Sequence, residues 1–232
     1  MKVLAIDTST PALSLAFGED GEITAEYNLS LKARHSALLV PIIKELLERC
    51  GTDFGEIGAF ALSIGPGSFT GLRVGVATVK GLTFGNAKAI VTVPTLDVIA
   101  FNSAGCKDLV CALTDAKQNK VYAAMYLWKG ERLLRRSKDM LLPLDGVLKK
   151  IRRPALFIGD GVRIYRDRIK EHLGKKASFA PRNLWNPRAG AVLTLGWERL
   201  ARGETVDCNS LVPVYLYPKE CTIKKKNSCL QK

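Results

Sequence analysis

The stretch GPGSFTGLRVG, at residues 65–75, joins a short apolar segment to a longer segment with helical periodicity. Residues 59–64 are predicted to form a buried strand, and residues 68–84 a helix with Ser68 as its N-cap. The glycines at 67, 71 and 75 are four residues apart, so they would line one face of that helix. An interior glycine costs a helix roughly 0.8–1 kcal/mol relative to alanine. The row therefore predicts that another backbone approaches this face closely, either within one domain or from a second subunit.

The same loop differs from the common phosphate-binding loops. No Lys-Ser or Lys-Thr pair follows the second glycine, which excludes a Walker A motif. The glycine spacing does not match a dinucleotide fingerprint either. Free amides at the start of the helix could still hold an anion, but this feature alone does not identify a site.

The composition is typical of a folded globular protein. The chain has 232 residues, of which 47 % are hydrophobic, and this length allows one large domain or two lobes of about 100 residues each. No apolar run approaches the ~20 residues that span a bilayer, and no signal-peptide pattern is present, so a cytoplasmic location is expected. The six cysteines form no C-x-x-C pair and only two histidines are present, which favours reduced thiols without a metal.

Basic residues are concentrated in the second part of the chain. Residues 1–103 hold 8 Lys/Arg against 10 Asp/Glu, a net charge of −2, whereas residues 104–232 hold 27 against 12, a net charge of +15. This asymmetry predicts either a nucleic-acid surface or a solvated basic surface in the second half. No aromatic-rich RNA-binding motif interrupts the basic runs, so base recognition is not expected. The candidate nucleic-acid residues are Arg152, Arg153, Arg166 and Lys170.

Strand and helix patterns occur in a similar order twice. In residues 1–103, three short strands precede a helix at 37–49, and the strand and helix around the glycine-rich loop precede a strand at 89–93 and a helix at 94–102. From residue 109 the βββ-α order begins again. We therefore predict an α/β chain with a first lobe at 1–103, a basic second lobe at 104–218 and a disordered tail at 219–232.

Several motifs match one protein family. Besides the glycine-rich run, these are LAIDTS at 4–9, RHS at 34–36, DAK at 115–117 with VYAA at 121–124, and PVYL at 213–216. Over residues 3–217 the chain thereby resembles the TsaB family, the dimerisation subunits of the bacterial tRNA threonylcarbamoyladenosine complex. The resemblance implies the actin/hexokinase/Hsp70-type (ASKHA) fold, with two lobes each built on a βββαβα core.

The resemblance also implies partners. A TsaD-like catalytic subunit, homologous to this chain, would transfer the threonylcarbamoyl group to N6 of the adenosine next to the anticodon in tRNA, and a TsaE-like ATPase belongs to the same system. ATP or ADP and a metal are expected on that partner complex, and no cofactor on this chain. Contact with tRNA is expected through the complex, a homodimer is expected for the isolated chain, and no membrane association is expected.

Three departures from the catalytic homologue indicate a non-catalytic chain. The catalytic proteins carry an H-x-x-x-H metal pair where this sequence has Thr95 and Ile99, and isoleucine cannot ligate a metal. Residues 10–12, TPA, replace acidic residues of the first hairpin turn, and residues 115–120, DAKQNK, replace a glycine-rich phosphate loop. We accordingly assign no catalytic residue and no metal site.

A dimerisation surface is predicted on the helix at 37–49 and on the glycine-rich helix, which would pair with the homologous helices of a partner. Its residues are Leu38, Leu39, Ile42, Leu46, Phe69, Gly71, Leu72, Arg73, Gly75, Val76 and Lys80.

Few candidates remain for chemistry on this chain. Asp7 and Ser9 are weak candidates for nucleotide binding, with a turn-stabilising Asp7 as the alternative. His35 is assigned to a helix start or an interface rather than to a general base. The alternative function is an ATP-dependent phosphotransferase of the sugar-kinase type, for which only Asp7 would remain in place.

Overall fold

The computed structural model describes residues 1–30, 35–86 and 88–217, with His35 described by its backbone alone. The predicted tail at 219–232 and the Arg34 of the RHS motif lie outside the described residues. Within the described ranges, no helix is both long enough and apolar enough to cross a membrane.

The first lobe is centred on a five-stranded sheet. Its elements are β1 (Lys2–Asp7), β2 (Ala12–Glu19), β3 (Glu22–Ser30), α1 (His35–Arg49), β4 (Ile57–Ser63), α2 (Phe69–Thr83), β5 (Ala89–Val93) and α3 (Thr95–Phe101). The strand order is β3-β2-β1-β4-β5, and β1 pairs antiparallel with β2 but parallel with β4. The N-terminal strand therefore lies at the centre of the sheet. Each element was predicted from the sequence within a few residues of its observed bounds.

Both faces of the first sheet are buried. Alternate residues of a strand point to opposite faces, and Leu4 and Ile6 pack with Leu46 in the cluster beneath α1 and α2. Val3 and Ala5 belong to a second cluster on the opposite face. Residues 3–6 of this central strand are all hydrophobic because the strand is covered on both faces.

The second lobe is centred on a six-stranded sheet. Its elements are β6 (Leu109–Asp115), β7 (Lys120–Lys129), β8 (Arg132–Arg135), β9 (Met140–Pro143), α4 (Leu144–Leu148), β10 (Ala155–Ile158), α5 (Gly161–Leu173) and β11 (Ala177–Phe179). The strand order is β11-β10-β6-β7-β8, and β9 also pairs with β7. The βββαβα order predicted from the sequence is thus confirmed in both lobes. Strands β9 and β11 were not predicted, because four and three residues are too few to show a period.

The last helix, α6 (Ala189–Ala201), leaves the second lobe and returns to the first. It packs across all five strands of the first sheet, on the face formed by Val3 and Ala5. A Cβ atom on its Gly196 would lie 2.7 Å from Cβ of Ala61, so the helix lies close against β4. The predicted boundary between the two lobes, after residue 103, therefore needs correction. The first lobe also contains α6, which the sequence alone could not reveal because its apolar face suits either sheet.

The lobes are joined by a polar network around Asp97 of α3. Its Oδ1 accepts hydrogen bonds from Tyr126 Oη at 2.8 Å and from Arg135 Nη2 at 2.7 Å, both in the second sheet. Arg199 of α6 lies 3.6 Å from the other carboxylate oxygen and donates to the carbonyl of Thr92 at 2.8 Å. Burial, followed by the charge of Asp97, holds the pKa of Tyr126 well above its usual value. Tyr126 is therefore a neutral donor that fixes α3 between the two sheets.

Candidate functional site

The glycine-rich helix docks onto the turn after β1 of its own lobe. A Cβ atom on Gly71 would lie 2.0 Å from the carbonyl oxygen of Thr8, and one on Gly75 would lie 2.5 Å from Thr8 Oγ1. The Thr8 hydroxyl donates to the Gly71 carbonyl at 2.8 Å. The row of glycines thus permits close packing within one domain. The assignment of Gly71 and Gly75 to a subunit contact is contradicted.

Four further residues of the predicted interface are also core residues. They pack inside the first lobe and present almost no surface: Leu39, Leu46, Leu72 and Val76. Leu38 and Ile42 are half-buried, whereas Phe69 and Arg73 are exposed. Lys80 donates to the carbonyl of Asn209 at 3.1 Å. The predicted surface on these two helices therefore included part of the inward face of each helix.

The exposed face of α2 and Phe84, the residue that follows the helix, together form a surface that we call the α2 stripe. Its members are Phe69, Arg73, Ala77, Gly81 and Phe84. Phe69 is 54 % exposed and Phe84 is 86 % exposed, and nothing lies within 4 Å of the position of a Cβ atom on Gly81. Two aromatic residues thus bracket small residues over which another helix backbone can approach closely. The sequence prediction did not include the residues at 77, 81 and 84, although successive members of the stripe from Phe69 onward are three or four positions apart.

The turn after β1 uses Asp7 to hold the backbone. Asp7 is fully buried, and its Oδ1 accepts from the Ser9 amide at 2.9 Å and from the Ser9 hydroxyl at 2.8 Å. The amide of Ser68, which caps α2, donates to the Ser9 carbonyl at 2.7 Å. These contacts match the turn-stabilising alternative for Asp7. Asp7 Oδ1 is therefore engaged within the turn.

The β6–β7 turn is equally committed to internal contacts. Lys117, Gln118 and Asn119 have positive φ angles of 62°, 50° and 59°, a conformation that glycine adopts at less cost. Lys117 Nζ pairs with Asp115 at 2.6 Å, and that hydrogen bond raises the pKa of the Lys117 amine. The Asp115 amide donates to Asp160 Oδ1 at 3.2 Å. The donor set therefore does not fit a phosphate group.

Thr95 and Ile99, which the family resemblance compares with a metal-binding histidine pair, are fully buried. Thr95 Oγ1 accepts from the Gly65 amide at 3.1 Å and lies 2.8 Å from the Ser63 hydroxyl. Ile99 packs in the cluster beneath the second sheet. Across the part of the chain that the structure describes, no group of three His, Cys, Asp or Glu residues could hold a metal ion. These residues do not fit a metal.

Residues 211–217, which we call the bridging segment, extend from one lobe to the other. The Val214 amide donates to the Ile64 carbonyl at 2.8 Å in the first lobe, and a Cβ atom on Gly65 would lie 2.8 Å from the Val214 carbonyl oxygen. At its other end, Tyr217 Oη donates to the Ala116 carbonyl at 2.9 Å. The segment that contains the PVYL motif therefore connects the end of β4 to the β6–β7 turn.

The predicted nucleic-acid residues separate into two places. Arg166 and Lys170 of α5 both lie over the Phe179 ring, with the Arg166 guanidinium carbon 4.9 Å from the ring centroid. Arg152 and Arg153 precede β10 and lie at the other end of that strand. Two further arginines, Arg163 and Arg182, line the groove beside Phe179 and were missed.

Two aromatic residues lie beside the basic residues of this groove. Phe179 and Trp185 lie against the basic residues of α5 in space, although they are distant from them in sequence. No local motif could have indicated this arrangement, because the turn between α5 and β11 creates it.

Comparisons with known proteins agree with this geometry. The family model described as "TsaD: tRNA N6-adenosine threonylcarbamoyltransferase" matches residues 22–225. The tRNA threonylcarbamoyladenosine biosynthesis protein TsaB of Bacillus subtilis is 32 % identical over 227 residues, which cover 97 % of each chain. YeaZ from Pseudomonas aeruginosa has a TM-score of 0.79 at 27 % identity, covering 93 % of this chain and 99 % of that one. Component A of the Acidaminococcus fermentans (R)-2-hydroxyglutaryl-CoA dehydratase is similar in fold alone, with a TM-score of 0.51 at 12 % identity over 87 % of this chain and 99 % of that one.

Proposed function

This chain belongs to the TsaB family of tRNA threonylcarbamoyladenosine biosynthesis proteins, and on that basis we propose that it is a non-catalytic subunit that docks onto a catalytic homologue of the TsaD type. The chain has a role in tRNA threonylcarbamoyladenosine biosynthesis. The docking role goes further than this. It is supported by the internal hydrogen bonds of the turns after β1 and β6, and by the exposed side chains of the α2 stripe.

The turn after β1 and the β6–β7 turn support a non-catalytic role. Asp7 Oδ1 accepts two hydrogen bonds from Ser9, and Lys117 is paired with Asp115. General acid–base or phosphoryl-transfer chemistry needs such groups aimed at a substrate. The bridging segment also occupies space between the end of β4 and the β6–β7 turn. These contacts argue against the phosphotransferase alternative.

The α2 stripe carries the docking proposal. Exposed large aromatic side chains are uncommon on a monomer surface, and they are typical of the centre of an interface. Phe69 is already ordered by its neighbours: its ring stacks on Tyr215 with centroids 5.1 Å apart, and the Arg73 guanidinium carbon lies 3.9 Å from its centroid. An ordered anchor loses little conformational entropy on binding. Ala77 and Gly81 leave room beside it for a helix of the partner.

The homologous subunit is the occupant that fits this surface. A partner with the same fold would present its own first two helices, so that two helix pairs pack as a four-helix contact. The same stripe would join two copies of this chain when the catalytic subunit is absent. ATP or ADP, a metal and the TsaE-like ATPase are then expected on the partner side of the complex.

The proposal is tested by Ala77→Arg, which adds a long charged side chain in the middle of the α2 stripe. Association with the TsaD-type subunit from the same organism is measured by isothermal titration calorimetry, and tRNA threonylcarbamoylation by the reconstituted system is measured in parallel. The variant is expected to lose association by at least tenfold and to reduce modification to the level without this chain. Ala201→Arg is the matched control, because Ala201 is an exposed helical alanine of α6, on the other face of the first sheet.

Two results would overturn the proposal. Association of Ala77→Arg equal to that of the wild type would remove the stripe from the interface. Nucleotide turnover or tRNA modification by the purified chain alone would show that it is an enzyme, and would favour the phosphotransferase alternative if a sugar were the acceptor.

A further inference from the structure

A basic groove of about 460 Å³ opens on the second lobe between α5 and the chain after β11. Its rim carries the side chains of Arg163, Arg166 and Arg182, and its wall includes Phe179 and Trp185. The groove is separate from the α2 stripe, since it lies on the other lobe. Nothing in the proposed docking role uses it.

The three guanidinium groups of the groove are not neutralised. In the described ranges, none of the three has a carboxylate oxygen within 4 Å, whereas nearby Arg168 pairs with Asp145 at 2.7 Å. The Arg166 guanidinium lies over the Phe179 ring and has no hydrogen-bond or ion-pair partner among the residues that the structure describes. Unpaired arginines at one place leave their planar, bidentate donors available for an anion.

The aromatic rings of the groove are held in place. Trp185 Nε1 donates to the Ala180 carbonyl at 2.9 Å, and the Phe179 ring packs on Phe157 with centroids 5.9 Å apart. Asn102 of α3 donates to the Leu184 carbonyl at 3.1 Å and so fixes the turn that carries Trp185. A rigid, half-buried ring beside free guanidinium groups is suited to stacking a planar ligand that also bears phosphate.

We propose that the groove binds a single-stranded segment of RNA, with phosphates on Arg163 and Arg182 and an unstacked base against Trp185. This inference rests on the proposed role in tRNA modification, which supplies the RNA. A polymer fits better than a mononucleotide, because unpaired cations continue from the groove through Lys170 to Lys175 and Lys176. A duplex fits less well, because its bases are stacked on one another and cannot reach a recessed ring.

The test uses the full chain and three probes: an eight-nucleotide oligouridine, an RNA duplex of eight base pairs, and ATP. Binding is followed by fluorescence anisotropy or competition over a salt series. The double variant Arg163→Gln/Arg182→Gln is expected to reduce the slope of log affinity against log salt by about 1.4 for the oligouridine, at roughly 0.7 per phosphate contact on a single strand. Arg132→Gln is the matched control, because Arg132 is an exposed arginine on β8, at the opposite edge of the same sheet.

The stacking part of the proposal has its own variant. Trp185→Leu keeps an apolar side chain and is expected to weaken oligouridine binding about fivefold or more, as the loss of one base–aromatic stack does, without changing the salt slope. Duplex binding should be unaffected. If this variant does not fold, a 4-thiouridine oligomer is photo-cross-linked to the wild-type chain, and the adduct is expected on the peptide that contains Trp185.

Three outcomes overturn the inference. If Arg132→Gln and the double variant gave equal slopes of log affinity against log salt, the RNA would bind to a general basic surface and not to the groove. ATP binding tighter than oligouridine, with the same loss in the groove variants, would mean a mononucleotide site. Cross-linking only outside the groove would place the RNA elsewhere. Because these assays use the chain without a partner, they can fail while Ala77→Arg still abolishes docking, so the two proposals are tested separately.

Discussion

Gly71→Ala should destabilise the first lobe, although alanine is the better helix former. The added Cβ would lie 2.0 Å from the Thr8 carbonyl oxygen. That oxygen belongs to the backbone of the buried turn after β1, so it cannot move aside as a flexible side chain would. Either α2 or the turn must shift, and the hydrogen bond from the Thr8 hydroxyl to the Gly71 carbonyl, now 2.8 Å, would lengthen.

The magnitude follows from three terms. Replacing an interior helical glycine with alanine stabilises the helix by up to ~1 kcal/mol. Overpacking of a well-packed core costs about 1–3 kcal/mol, and loss of one buried hydrogen bond costs about 1 kcal/mol. The first and third terms roughly cancel, which leaves an expected loss of about 1–3 kcal/mol in the free energy of unfolding.

Urea denaturation followed by circular dichroism measures this loss as a lower midpoint with an unchanged m-value. Gly81→Ala is the matched control on the same helix, because nothing lies within 4 Å of its added Cβ. It should raise the free energy of unfolding by up to ~1 kcal/mol. A Gly71→Ala midpoint equal to or above that of the wild type would refute the reasoning, and would return Gly71 to the candidates for a subunit contact.

Three other expectations concern buried groups. Iodoacetamide at pH 8 should leave Cys111 unmodified until the chain is unfolded, because burial raises the pKa of its thiol to about 12; peptide mapping before and after urea treatment checks this. Asp160→Asn should stabilise the chain at pH 7 but not at pH 3. Burial raises the pKa of Asp160 in the folded chain above its usual 3.8. As the pH rises through that folded pKa, the wild type therefore loses part of its free energy of unfolding, whereas the neutral asparagine does not. An equal effect of this variant on the urea midpoint at both pH values would contradict it. Thr95→Val should lower the free energy of unfolding by about 1–3 kcal/mol, since it leaves the Gly65 amide without its acceptor; an unchanged urea midpoint would count against this.

Much of the fold follows from local sequence patterns. The order of strands and helices in both lobes could be read from hydrophobic periodicity and from the turns, and Ser68 was correctly identified as the N-cap of α2, accepting from the Gly71 amide at 3.2 Å. The Asx-type contact of Asp7 with Ser9 was also anticipated, because an aspartate after a strand often bonds the backbone two residues on.

The errors on α2 have one physical cause, which is that a sequence period does not show which face of a helix is buried. Both Gly71 and Gly81 lie on α2, yet one packs on Thr8 and the other faces solvent. Contacts between segments that are distant in the sequence could not be predicted either, because periodicity describes each segment by itself. Phe179 meets Arg166 only because β11 pairs beside β10, and α6 covers the first sheet only because the chain turns back after Trp185.

The position of α6 sets the order in which a newly made chain can fold. On the ribosome, residues 2–93 emerge first and can pair as strands, but the helix that covers one face of that sheet is translated only after the entire second lobe. Until then Val3, Ala5 and Val91 of the nascent chain are not covered by α6. An N-terminal fragment that ends at residue 103 would keep that face uncovered and would be prone to aggregate. The core of the first lobe is therefore completed only after the second lobe has been translated.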